Sequence, residues 1–156
     1  MAWLRINTET PTLTLDALYS TPVLRLAAQA HGAGDPAAGD TTVTCVNPVC
    51  GDRIDLGLSV SGGKVSYYAY RTQACVICQA SASALGQTIE GLDGTEVAAL
   101  RVAIEAMLAG ETAAPGARFA PFAALSPVAS EPGRHTCVLL PLNAVREALA
   151  RLAEPG

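Results

Sequence analysis

RIDLGLSVSGGKVSYYAYRTQ, residues 53–73, reads as a β-hairpin. Ile54, Leu56, Leu58 and Val60 alternate with Asp55, Gly57 and Ser59, the period of a half-buried strand. Gly62-Gly63 supplies residues that take positive φ in a tight turn. The returning strand, Val65–Gln73, sets Val65, Tyr67, Ala69 and Arg71 on one side and Ser66, Tyr68, Tyr70 and Thr72 on the other. Thr42–Val46, rich in β-branched residues, is the expected third strand.

Outside the hairpin the period changes to that of helices. Thr21–Ala30 is an expected helix with Pro22 in its first turn, where a missing N–H costs nothing. Leu15, Leu18 and Tyr19 fit a short helical turn before it, and His31–Thr41 is Gly/Ala/Pro-rich loop. Cys75–Ile89 is a run of small residues, expected as a closely packed helix ended by Glu90–Gly94. Thr95–Ala109 places Val97, Leu100, Ile104, Met107 and Leu108 on one face. The stretch from Gly110 to Gly133 holds Pro115, Pro121, Pro127 and Pro132 and cannot be one long helix. Phe119, Phe122 and Leu125 within it call for packing on the body. A last helix, Leu142–Leu152, has Leu142, Val145, Leu149 and Leu152 inward. Strands first and helices later make an α+β fold. The expected architecture is a small antiparallel three-stranded sheet packed against helices, with a metal site at one end of the sheet. One domain over 1–156 is expected, with a Pro/Ala-rich insertion at about 110–133.

Composition narrows the function. The 156 residues are 50% apolar but only 4% aromatic, so the core is built of small side chains. Net charge is −4 and Lys64 is the single lysine, which excludes a basic nucleic-acid surface. No run of roughly 18 apolar residues is present, so no membrane span is expected. Met1–Pro11 lacks the character of a signal peptide, and a cytoplasmic location is expected. Five cysteines in such a chain read as metal or redox residues sooner than as a disulfide frame. There is no phosphate loop and no Ser-His-Asp signature.

Cys50 lies between two strands in Asn47-Pro48-Val49-Cys50-Gly51-Asp52, a tight Pro/Gly loop that presents a thiolate beside the Asp52 carboxylate. Cys75 opens a helix, where free N–H groups and the dipole favour a thiolate. Cys137 sits just before the last helix, in Arg134-His135-Thr136-Cys137. Three thiolates and an oxygen converging at one end of the sheet suit Zn²⁺ or an iron–sulfur cluster. Other sets compete. Cys45, Cys50, Cys75 and Cys78 can make a four-cysteine zinc knuckle, though with unusual spacing. Cys75-Val76-Ile77-Cys78 has the spacing of a redox pair, whose usual βαβ setting is replaced here by a hairpin. Cys45 and Cys78 also read as small buried apolar side chains. Of the histidines, His31 falls in a loop and only His135 is near a cysteine of the set.

These motifs resemble those of the U-type iron–sulfur assembly proteins (IscU, SufU and the N-terminal domain of NifU). Asn47–Asp52 resembles their NPxCGD motif, Ala74–Ser83 their GCAISxASAS segment, and Arg134–Cys137 with Leu140 their RxKCaxL segment. The resemblance covers about Leu15 to Leu152. The long interval between Cys75 and Cys137, and the run Leu125, Val128, Pro132, Arg134, Cys137, are similar to the SufU branch, which carries an insertion there. The LPPVK motif of the IscU branch is absent, and Thr136 stands where that branch has a histidine. The N-terminal DHYKNPRN-like segment is replaced by Ala28–Ala38, although Leu18-Tyr19 resembles the leading LY. Ala74 replaces a glycine, and Cys78 a serine.

The resemblance implies a metal site of Cys50, Asp52, Cys75 and Cys137. It implies a scaffold that receives persulfide sulfur from a cysteine desulfurase, binds iron or a transient [2Fe–2S] cluster, and hands it to a downstream carrier or apo-client. The aspartate ligand would keep that cluster labile. The alternative is a zinc-dependent sulfurtransferase of the SufU type, relaying persulfide through Cys50, with Arg134 pairing with Asp52 or steadying the released group. A lesser alternative is an adaptor module held by structural zinc.

Overall fold

The computed structural model describes residues 18–112 and 114–153. Three strands, β1 (Thr41–Val46), β2 (Arg53–Ser61) and β3 (Lys64–Gln73), form an antiparallel sheet in the order β1-β2-β3. Among the described residues, four α-helices follow the expected order: α1 (Thr21–Gln29), α2 (Val76–Thr88), α3 (Gly94–Leu108) and α4 (His135–Ala153). No helix among the described residues is long and apolar enough to cross a membrane. Leu18 is buried, whereas Leu15 lies outside the described residues.

Val43 pairs with Leu56 and Cys45 with Ile54, so these residues share the sheet face on which α4 packs. On β3 the expected faces hold only in part. Val60 pairs with Val65 and Ser59 with Tyr67, so a β-bulge leaves Ser66 unpaired. The extra residue moves Val65 to the face of Tyr68, Tyr70 and Thr72, opposite Leu58, Leu56 and Ile54. Val65 is accordingly buried. A period of two cannot register such an insertion, because a single step exchanges the faces. The second face is partly covered by the segment between α1 and β1. Its 3-10 turn Pro36–Ala38 lies so close that a Cβ on Gly57 would come within 2.0 Å of the Pro36 carbonyl oxygen.

Helix α2 lies between α1 and α4, and this explains its composition. Ile77, Cys78, Ala80, Ser81, Ala82, Ser83, Ala84 and Leu85 are all buried, so most of its circumference meets other chain. Small side chains let the neighbours approach. A Cβ on Gly86 would stand 2.0 Å from the His31 carbonyl oxygen. The serines satisfy backbone groups of those neighbours. Ser81 Oγ donates to the Val138 carbonyl (2.6 Å), and Ser83 Oγ accepts the His31 N–H (3.0 Å). Tyr68 reaches over from β3 and donates to the Ala82 carbonyl (2.8 Å).

Helix α3 starts at a capping box. Asp93 accepts the Glu96 N–H (2.8 Å), and Glu96 accepts the Asp93 N–H (3.1 Å). The Pro-rich stretch forms 3-10 turns over Ala117–Ser130, broken at Phe119, and seals α2 and α3 with the buried Phe122, Leu125 and Val128. Helix α4 corrects the expected start at Leu142: it begins at His135 and carries Pro141 inside. A proline usually marks a helix boundary, but here only the Cys137 carbonyl loses its partner, in the first turn. The buried side chains of Val138, Leu140 and Leu142 hold the helix through it. Cys137 therefore sits within the first turn of α4, not ahead of the helix.

Gly86→Ala should lower the urea midpoint with an unchanged slope, by an overpacking cost on the order of 1–3 kcal/mol. Gly94→Ala, whose Cβ meets nothing within 4 Å, should move it by no more than about 0.5 kcal/mol. Equal shifts in the two variants would show that α2 does not need the close approach of His31.

Candidate metal centre

The loop between β1 and β2 is built by Asn47. Its side-chain oxygen accepts the Val49 N–H (3.0 Å), closing an Asx turn that Pro48 stiffens. Its backbone carbonyl accepts the Gly51 N–H (2.7 Å), and its own N–H donates to the Asp52 carbonyl (2.7 Å). Gly51 turns the chain at φ +77°. Asn47 Nδ2 then donates to Thr136 Oγ1 (2.7 Å), fastening the loop to the first turn of α4. Cys50 is left exposed at the tip and Asp52 buried at the base.

Cys75 is the N-cap of α2, but its thiol does not cap the helix. Its N–H donates to Asp52 Oδ1 (3.0 Å) and its Sγ to Asp52 Oδ2 (3.3 Å). Cys137 is buried beneath them, with its Sγ 3.8 Å from that of Cys50. One ligand atom each of Cys50, Asp52 and Cys137 lies within 4.8 Å of the others, and Cys75 joins this group through Asp52. The sulfurs are free thiols. A metal–sulfur bond of about 2.3 Å sets a tetrahedral S···S edge of about 3.8 Å. The Cys50–Cys137 edge therefore fits a tetrahedral thiophilic ion such as zinc or iron, with an Asp52 oxygen as third donor, while Cys75 touches the group through Asp52.

The electrostatics of the group are mutual. Burial pushes the Asp52 carboxyl up, but the Cys75 N–H and the thiols of Cys75, Cys50 and Cys137 outweigh it and hold the pKa below the usual carboxylate range. Burial, reinforced by the Asp52 charge, pushes the Cys75 thiol up. Burial and the neighbouring Cys75 push Cys137 up as well. In the metal-free chain the Asp52 carboxylate is thus charged and the Cys75 and Cys137 thiols hold their protons. A cation entering the site must displace those protons, so uptake strengthens as pH rises.

The remaining residues take other places. Arg134 with Asp52 is not among the ion pairs of the described residues. Tyr19 and the Cys75 and Cys137 thiols raise the Arg134 pKa. His135 Nε2–H donates to the Val128 carbonyl (3.0 Å) and so fastens the Pro-rich segment. His31 is exposed and bonds Gln29. The four-cysteine knuckle is not formed. Cys45 points across the sheet and donates to Glu147 Oε2 (3.3 Å), while Cys78 is buried in the core. Burial and Glu147 push the Cys45 thiol up to about 11. Asn47 and Thr136 stand in the sequence only as motif positions; their part in the site is a hydrogen bond across distant segments, for which the Asn-Pro dipeptide is the local sign.

The sequence profile of the NifU-like N-terminal domain matches residues 18–130. This chain belongs to that family. Among its relatives, the iron–sulfur cluster assembly scaffold protein IscU of Thermotoga maritima is 33% identical over 109 residues, 70% of this chain and 76% of that one. The zinc-dependent sulfurtransferase SufU of Bacillus subtilis is 30% identical over 105 residues, 67% of this chain and 71% of that one. A crystal structure of a NifU-like N-terminal protein from Brucella abortus superposes with a TM-score of 0.84 at 29% identity, covering 92% of this chain and 99% of that one. The α+β fold with its three-stranded antiparallel sheet is that of the NifU-like proteins.

In the metal-free NifU-like chain, exposure and thiolate content set the order of alkylation. Iodoacetamide at neutral pH should label Cys50 first and Cys78 last, with Cys75 and Cys137 gaining reactivity as pH rises. Peptide mass spectrometry reads the order. Early labelling of Cys78 would contradict its burial.

Proposed function

We propose that this protein is an iron–sulfur cluster assembly scaffold whose site is Cys50, Asp52, Cys75 and Cys137. The observation that carries the reading is the convergence of three thiols, Cys50, Cys75 and Cys137, on the Asp52 carboxylate, with one thiol exposed and the others withdrawn. An all-Cys/His closed site would suit a structural metal. Here one donor is a carboxylate, and the exposed Cys50 can meet a partner. Iron and sulfur are the cargo.

Sulfur delivery follows from this layout. A cysteine desulfurase presents a persulfide; the Cys50 thiolate attacks its outer sulfur, the donor S–S bond breaks, and the donor thiolate leaves. Cys50 then carries the sulfane sulfur beside Cys75 and Cys137. Asp52 accepts hydrogen bonds from the thiols that line the site or, when iron is loaded, would supply the weaker oxygen contact. A carboxylate is a poorer partner than thiolate for a soft cluster iron, which favours hand-over to a carrier or apo-client. Arg134, whose pKa Tyr19 and the Cys75 and Cys137 thiols raise, would supply a positive charge to steady the negative persulfide. The second reading, a zinc-dependent sulfurtransferase, is favoured by the SufU relative. Zinc held by the same residues would keep a thiolate deprotonated at neutral pH.

Anaerobic incubation with iron, a cysteine desulfurase and cysteine should produce a visible cluster chromophore. Zinc supporting persulfide transfer while iron yields no chromophore would favour the sulfurtransferase. Cys50→Ser should abolish labelled-sulfur uptake from the desulfurase; unchanged uptake would remove Cys50 from its role. Asp52→Ala should extend the lifetime of the chromophore by about tenfold or more, read as the decay of visible absorbance. Stripping with a chelator should leave the far-ultraviolet circular dichroism nearly unchanged, because the helices pack on a core that the site does not form. Unfolding on chelation would instead support a structural metal.

A further inference from the structure

A cluster is built from sulfide, whereas a persulfide delivers sulfur at the oxidation level of sulfane. Two electrons per sulfur have to come from somewhere. We propose that Cys75 and Cys78 form a dithiol that reduces a persulfide at this site to sulfide, with Cys78 as the resolving thiol. The inference rests on the sulfur-accepting role given to Cys50 above.

The geometry lies at the start of α2. Cys75 is the N-cap and Cys78 the third residue of the helix. Helix geometry sets their Cα atoms about 5 Å apart, within the roughly 4.4–6.8 Å that a disulfide spans. N-cap and third-position side chains face one another, as Asp93 and Glu96 do at the start of α3. The Cys75 thiol makes no capping bond and instead donates to Asp52, so its sulfur is turned into the site. Cys78 is fully buried behind it and bonds no other side chain among the described residues. The redox spacing of Cys75-Val76-Ile77-Cys78 thus has the local geometry of a closing pair, although the surrounding fold is not a βαβ one. External thiol reagents and disulfides reach Cys50 but not Cys78, which reserves Cys78 for a reaction inside the site.

The chemistry balances in two steps. Cys50 and Cys75 share the Asp52 carboxylate as acceptor. The Cys75 sulfur attacks the outer sulfur of the Cys50 persulfide anion; that S–S bond breaks, and Cys50 leaves with the Cys75 proton. The Cys78 sulfur then attacks Cys75 Sγ. The Cys75–sulfane bond breaks, the sulfane sulfur departs as HS⁻ with the Cys78 proton, and a Cys75–Cys78 disulfide forms. Two thiols are oxidised to one disulfide, and one sulfane sulfur is reduced to sulfide. An external dithiol then reduces the disulfide and restores Cys75.

The test loads the full chain anaerobically, once with a desulfurase plus limiting cysteine and once with inorganic polysulfide, then removes the donor and adds no reductant. The wild type should release sulfide, and peptide mapping should find a Cys75–Cys78 disulfide. Cys78→Ser and Cys78→Ala should take up the same labelled sulfur but release roughly tenfold less sulfide, keeping the persulfide. Cys45→Ser should match the wild type. An undiminished sulfide burst in both Cys78 variants, or a disulfide mapped to Cys50–Cys137, would overturn the proposal. A chain that polysulfide loads and that releases sulfide through Cys78, but that the desulfurase does not load, supports the dithiol and refutes the proposed donor. A chain that loads from both and releases nothing refutes the dithiol alone.

Discussion

The Asp52 carboxylate organises this protein. It is buried at the base of a loop between two strands, and it accepts the N–H and the thiol of Cys75 at 3.0 and 3.3 Å. Those two bonds join the β1–β2 loop to the start of α2. Asn47 adds the third element by bonding Thr136 in α4. Each partner comes from a different part of the chain, so the four donors meet only when all three elements are in place. A buried carboxylate with several donors is also the stable way to keep a charge at this depth without a cation. Burial, with the Asp52 charge beside it, pushes the Cys75 thiol up, and burial and Cys75 push Cys137 up.

Around that point the molecule is made rigid by small residues rather than large ones. Helix α2 is in contact on most sides, and Ala80, Ala82 and Ala84 fit it between its neighbours. Gly86 and Gly57 allow backbone to approach backbone where a Cβ would collide. Close packing of this kind gives many dispersion contacts with few aromatic rings. It fixes Cys75 at the head of α2 and Cys137 in the first turn of α4, which run side by side. The Pro-rich segment adds Phe122, Leu125 and Val128 as a lid of core on α2 and α3, and His135 ties it to α4.

The cysteines divide by depth and by element. Cys50 faces solvent, Cys75 and Cys137 are withdrawn around Asp52, and Cys78 lies behind Cys75 on the same helix. Depth orders their access: the outer thiol is open to solvent, the inner thiols are partly or wholly covered, and Cys78 is shielded from external reagents. Cys45 belongs to none of these layers. It lies across the sheet, bonded to Glu147 of α4.

The hairpin, the helix order and the Asn47–Asp52 motif were legible in the sequence, because each is set by local periodicity or turn chemistry. The positions of Cys50, Asp52, Cys75 and Cys137 at element boundaries already marked them as one possible set, but spacing left a four-cysteine knuckle and a redox pair beside it, and only the resemblance chose among them. Three features needed the tertiary structure. The bulge that moves Val65 to the core face arises from pairing with β2, and alternation within β3 cannot report it. Helix α4 runs through Pro141 because buried neighbours stabilise the turn that the proline weakens. The Asn47–Thr136 bond joins residues far apart in the chain and exists only because the β1–β2 loop packs on the first turn of α4. A sequence carries the local preferences of each segment; which donor reaches a buried acceptor first is decided by how the segments pack.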